Sequence, residues 1–204
     1  MTVVQQIAIL APPFLFALTI HEFSHGYVAD QLGDPTARNM GRLTLNPMKH
    51  LDPLGVLAFI IMKIGWAKPV PVDPRYFKNP LRDMLWVALA GPAANLMTAV
   101  ASGLAAQLLV ILSPMLPPFI LWPLAQMVAA SIWINIMLAV FNLLPIPPLD
   151  GSKVLMGLLP PQQAASFARL EPFGFIILLG LFYTGILQKI LIPIITFAQN
   201  MIVG

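Results

Sequence analysis

The chain has 204 residues, of which 58% are hydrophobic and only 9% charged, against about one quarter charged in an average soluble domain. That composition excludes a water-soluble fold and describes a single membrane-embedded domain, residues 1–204, with the lipid bilayer as its solvent. The net charge of +3 rests on eleven Lys and Arg crowded into one part of the chain, a pattern that reports membrane orientation and speaks against nucleic acid as a partner.

Residues 3–28 are apolar except for Gln5, Gln6 and the cluster His21, Glu22, Ser24, His25. As one helix they cross a hydrocarbon core of about 30 Å, with a kink expected at Pro12 and Pro13. No basic residue precedes Arg38, so this helix lacks the positive region of a signal peptide and is expected to be retained. Residues 29–53 are polar and broken by Gly33-Asp34-Pro35, Asn46-Pro47 and Asp52-Pro53, which predicts a non-spanning loop with room for short strands. The apolar run 54–66 is short and contains Lys63, which suits a re-entrant element better than a crossing. In WAKPVPVDPRYFKNP the recurring prolines forbid helix and favour an extended run, whose edge is a candidate for holding an unwound substrate by main-chain hydrogen bonds.

Residues 84–112 and 124–144 are two clear spans joined by the uncharged SPMLPPFILWP. The second ends in FNLLPIPPLDG, where three prolines stop the helix and leave Asp150 at its terminus. Residues 154–159 form a short apolar turn, 160–171 a polar loop and 173–197 a last span. The chain is thus expected to be an all-α polytopic membrane protein with about four full transmembrane helices, two partial or re-entrant elements and a short extended segment. Eight of the eleven basic residues lie between Arg38 and Arg82, while residues 1–29 and 113–123 carry none. The positive-inside rule therefore places residues 30–83 in the cytoplasm with both termini outside. Lys153 and Arg169 then also fall inside, and Lys189 alone has to snorkel.

The chemistry is concentrated in HEFSH. On a helix, positions i and i+4 share a face, so His21 and His25 can hold one metal ion while Glu22 beside them takes a proton from a water. Ionisable groups at such a depth in a span mark function; His21 lies fourteen residues, about 21 Å of helix, beyond Ile7. Zinc in a hydrolase takes three protein ligands and keeps one position open. The chain has no cysteine, so the third must be His, Asp or Glu. Two candidates offer themselves: His50, in the loop NPMKHLDPLG, and Asp150, a lone carboxylate after a long span. Spacing alone does not choose between them.

HEFSH in the first helix, NPMKHLDPLG after it, GPAANL opening a later span and FNLLPIPPLDG ending the next together resemble the site-2 protease family of intramembrane zinc metalloproteases, over about residues 15–160. The resemblance implies one zinc ion held by His21, His25 and Asp150, with Glu22 as general base and Asn142 near the metal helping to stabilise the transition state. It further implies hydrolysis of peptide bonds in transmembrane protein substrates, with the active site towards the cytoplasm of the plasma (inner) membrane. The chain departs from better-known members in showing no inserted PDZ or appended nucleotide-sensing domain. A rival reading is a membrane metal-ion transporter or sensor using the same His and Asp cluster. It has no need of Glu22 and would place polar positions along several spans, which are lacking here. Asn95 and Asn135 read as interhelical hydrogen-bond partners, and Gly91, Ala93, Ala94, Ala99 and Gly103 as close helix packing.

Overall fold

Without water to satisfy its backbone, an apolar run in hydrocarbon is stable only as helix or closed barrel. In the computed structural model, which describes residues 2–62 and 66–204, the chain is 78% helical and has no strands among the described residues. Helix α1 (Val3–Gln31) starts at a capping box in which Thr2 accepts from the Gln5 N–H and the Gln5 side chain accepts from the Thr2 N–H. It continues without a break through Pro12 and Pro13. After it come the single turn α2 (Thr36–Asn39) and the short α3 (Pro53–Met62). With ten residues, α3 is about 15 Å long, half the thickness of a bilayer core, as expected of a partial element; Lys63 lies outside the described residues. Residues 66–73 are extended, and one antiparallel bridge, Leu51 to Ala67, ties them to the preceding loop.

The two central spans are α4 (Pro80–Leu112) and α5 (Pro118–Asn142), followed by α6 (Asp150–Leu158), α7 (Pro161–Ala168), α8 (Gly174–Tyr183) and α9 (Ile186–Val203). The last span, expected as one helix, is divided at Gly185, whose φ of +73° a continuing right-handed helix does not tolerate. Among the described residues five stretches are consequently long and apolar enough to cross a membrane: Val3–Gln31, Pro80–Met115, Pro118–Asn142, Pro161–Tyr183 and Ile186–Val203.

Four of these pack around one axis, and their contacts fix direction. Ala17 of α1 meets Asn95 of α4 while His25 meets Val87, so the two helices are antiparallel. Asn95 bonds Asn135 and Ser102 bonds Ser131, which makes α4 and α5 antiparallel too. Helix α9 runs parallel to α4, with Ile195 in one buried cluster with Ala99 and Ile202 against Gly103. A Cβ on Gly103 would lie 2.4 Å from the Ile202 Cγ2, so this glycine sets the approach of the two helices. Ala99, Ile132, Ile136 and Ile195 form one buried core cluster and Ala29, Phe77 and Val87 another, whereas Phe119 and Val110 are 77% and 72% exposed on the outer surface, which a lipid environment accommodates. Both termini and the 113–117 connection thus share one end of the bundle. The basic loops share the other, with Lys49 and Arg75 exposed on them.

Cysteines introduced singly at Lys49 and Arg75 are expected to react with an impermeant reagent from one and the same side of the membrane. Labelling from opposite sides would mean that the segment containing α3 crosses.

Candidate active site

The H-E-x-x-H spacing places His21 and His25 one turn apart on the inner face of α1, with ring centroids 4.6 Å apart and both side chains buried. Each ring is held from behind by α4. The His25 Nδ1 lies 2.7 Å from the Val87 carbonyl, which can only accept, so that nitrogen carries the hydrogen. The His21 Nδ1 lies 2.5 Å from the Asn95 Oδ1. The Asn95 amide nitrogen already donates to the Ala17 carbonyl at 3.0 Å and to the Asn135 Oδ1 at 2.8 Å. Its oxygen therefore accepts, and His21 too carries its hydrogen on Nδ1. In both neutral rings the Nε2 lone pair is then left facing forward, the arrangement that orients a histidine for a metal.

The two Nε2 atoms meet the same carboxylate oxygen, Oδ2 of Asp150, at 3.1 Å from His21 and 3.2 Å from His25. Asp150 is the first residue of α6. It reaches the site because Gly151 lets α6 sit directly on the end of α5: a Cβ there would lie 2.2 Å from the Leu143 carbonyl oxygen. This glycine serves close approach in helical backbone, whereas the expectation from Asp-Gly is a turn. Three acceptors thus converge with no hydrogen between them. Donor atoms sharing one tetrahedral zinc at ordinary bond lengths stand about 3.3 Å apart, close to the two separations observed. Chemistry and spacing both fit zinc, and among the described residues His21, His25 and Asp150 are the one group of this kind.

At Gly91, α4 approaches the two rings closely and sets no side chain against them. A Cβ on Gly91 would lie 2.4 Å from the His25 Nε2 and 2.7 Å from the His21 Nε2. Val87, Gly91 and Asn95 are successive members of an i, i+4, i+8 series, so one stripe of α4 supplies a carbonyl, a gap and an amide to the two rings. Gly91 is thus a site of close helix packing and Asn95 an interhelical hydrogen-bond partner, as expected, and both of these contacts fall on the histidine pair. The sequence signal for the latter is that their shared spacing repeats that of the two histidines.

Glu22 is half-buried beside the pair, and its Oε2 accepts the Val70 N–H at 2.8 Å. His50 is fully buried elsewhere, its Nε2 at 2.8 Å from the Thr44 carbonyl, and it is not part of the cluster. The Asn142 amide donates to the Leu138 carbonyl one turn back in α5 at 2.9 Å, so the structure brings together His21, His25, Asp150 and the adjacent Glu22 without hydrogen-bonding Asn142 to any of them.

The family model described as peptidase family M50 matches residues 119–181, which include the helix end and Asp150. YwhC of Bacillus subtilis is 38% identical over 198 residues, covering 92% of this chain and 86% of its own. Rip2 of Mycolicibacterium smegmatis is 32% identical over 186 residues, covering 86% of this chain and 67% of its own. Rip2 of Mycobacterium tuberculosis is 33% identical over 174 residues, covering 83% of this chain and 64% of its own. All three bear the name "Putative zinc metalloprotease". No solved structure gives a significant match. In keeping with the resemblance of its motifs to the site-2 proteases, the chain belongs to peptidase family M50, a family of zinc metalloproteases.

Proposed function

We propose that the protein is an intramembrane zinc metalloendopeptidase that cuts transmembrane protein substrates near the cytoplasmic side of the plasma (inner) membrane, as in regulated intramembrane proteolysis. The observation that carries this reading is the convergence of two imidazole lone pairs and one carboxylate oxygen at 3.1 and 3.2 Å. Three acceptors at that spacing are all satisfied at once by a cation.

In this reading His21, His25 and Asp150 hold one zinc ion, and Gly91 keeps any α4 side chain off the two Nε2 atoms. When bound, zinc polarises a peptide carbonyl and lowers the pKa of a water. Glu22 is the general base. The Val70 N–H fixes one of its carboxylate oxygens, and the other takes the proton from the water and passes it to the leaving amine. Asn95 and the Val87 carbonyl keep both histidines in the tautomer the reaction needs. Asn142 contributes to stabilising developing charge once its amide leaves the Leu138 carbonyl. The side assignment follows from the crowding of basic residues at the loop end of the bundle. A transporter reading is disfavoured because the described residues hold a single cluster of His, Asp and Glu ligands and no second one along a path.

The direct test is cleavage of a tagged single-span substrate by the purified protein, with and without a zinc chelator. Chelation is expected to abolish cleavage and zinc to restore it. Glu22→Gln is expected to lower the rate by about 10²- to 10⁴-fold with zinc content unchanged; loss of metal alongside activity would make Glu22 a ligand instead.

Metal stoichiometry in two further variants assigns the third ligand. Asp150→Ala is expected to lose zinc and activity together, and His50→Ala to keep its zinc. The opposite pattern, full zinc in Asp150→Ala and depletion in His50→Ala, would establish a three-histidine site.

Gly91→Ala puts a methyl where 2.4 Å separates it from the His25 Nε2. It is expected to deplete zinc although no ligand has been changed. A fully metallated, active Gly91→Ala protein would show that the histidines approach the ion from another side.

A further inference from the structure

The extended segment 66–73 lies across the catalytic glutamate, and its prolines decide which hydrogen bonds it can make. Pro69 and Pro71 have no N–H. Of the amides that remain, Lys68 donates to the His50 carbonyl at 2.9 Å, Val70 to the Glu22 carboxylate at 2.8 Å and Asp73 to the buried Asp34 carboxylate at 2.7 Å. These three donors all point into the protein and tie the segment to its own chain.

The Val70 side chain fixes the placement. It is buried against Gly26, where a Cβ would lie 2.9 Å from the Val70 Cγ1. Gly26 is one turn beyond Glu22 on α1, so one residue seats its side chain on the glycine and its amide on the glutamate. Behind the segment stands Arg42, only 7% exposed. Its Nη2 donates to the carbonyls of Lys68 at 2.8 Å and Pro69 at 3.3 Å. Among the described residues Arg42 has no carboxylate partner, and its buried Nε has no partner of any kind. A buried guanidinium held by main-chain carbonyls alone is costly to desolvate, and here it pins the two residues that immediately precede Val70.

On the reading of Glu22 as general base, we propose that Arg42 is a positioning residue for Glu22, acting through the extended segment. Arg42 fixes the 68–69 carbonyls, this fixes the Val70 amide, and the amide keeps the glutamate carboxylate beside the histidine pair instead of letting it rotate away. A general base displaced by about 1 Å loses rate steeply, and neither zinc ligation nor substrate binding depends on this tether.

The test combines hydrogen exchange with kinetics. In Arg42→Met, amides of residues 66–73 are expected to exchange faster while those of α4 and α5 keep their protection. The kcat is expected to fall by about ten- to a hundredfold with KM within about twofold and zinc at the wild-type level, and Arg42→Lys to recover part of the kcat. Val70→Pro and Val70→Ala supply the second comparison, since both trim the side chain but only proline deletes the N–H. Val70→Pro is expected to have the lower kcat by about tenfold or more at equal zinc. Equal rates in the two Val70 variants, unchanged exchange in Arg42→Met, or a rise in KM at constant kcat would overturn the proposal, the last by making the segment a substrate contact. Wild-type protein that cleaves no peptide, yet shows the expected exchange change in Arg42→Met, would overturn the protease reading and leave the tether standing.

Discussion

The hydrogen bonds from the two histidine Nδ1 atoms of α1 to α4 are the constraint on which the rest of the site depends. Each is a polar contact between helices in hydrocarbon, where an imidazole without a partner would be heavily penalised. They set the register of α1 against α4, since Val87 and Asn95 are eight residues apart on one helix and His25 and His21 four apart on the other, in opposite directions. They also choose the tautomer, and the tautomer leaves the Nε2 lone pairs at the ring edges available to a metal. With an apolar residue at position 95 the same helices could pack, but His21 would be free to turn either nitrogen forward.

Asn95 does not act alone. Its amide reaches Asn135, whose own amide donates to the Ser131 carbonyl, and the Ser131 hydroxyl meets that of Ser102. A polar column, buried at Asn95 and Asn135, therefore runs from the histidine pair into the α4–α5 seam. Individual bonds of this type contribute modestly to membrane-protein stability, often below about 1 kcal/mol. Their greater effect is on specificity, because a polar group in lipid accepts few alternative positions. The column locates α5 along α4, and α5 in turn locates Asp150, whose helix rests on the carbonyls of Leu143 and Leu144 through Gly151.

Much of this was legible in the residues. The motif HEFSH names its own geometry, the long apolar runs name the spans, and the brevity of the run at 54–66 is enough to make α3 a partial element. What stayed hidden has physical reasons. The break at Gly185 lies in the apolar string GLFYTGILQKI, where hydropathy is continuous and only a backbone angle distinguishes one helix from two. Gly91 and Asn95 carry no local mark of function because their role is defined by what faces them across a helix contact. The choice between His50 and Asp150 depends on where two loops fold back, which spacing along the chain does not encode. The tether on Glu22 comes from a main-chain amide, and the one hint of it in the sequence is that Val70 is a non-proline between two prolines.

The separation of the donor set along the chain has a topological meaning. His21 and Asp150 are 129 residues apart, so an ion gripped by both closes a loop that contains α4 and α5 entire. In a bilayer the helices persist even when they part, and the disorder suppressed by that closure is lateral: spans drifting and rotating against one another. Zinc bound at this position would therefore be a fastener as well as a reagent. His21 and Asp150 come together only when the intervening helices have found their places, so metal uptake there would report that assembly is complete.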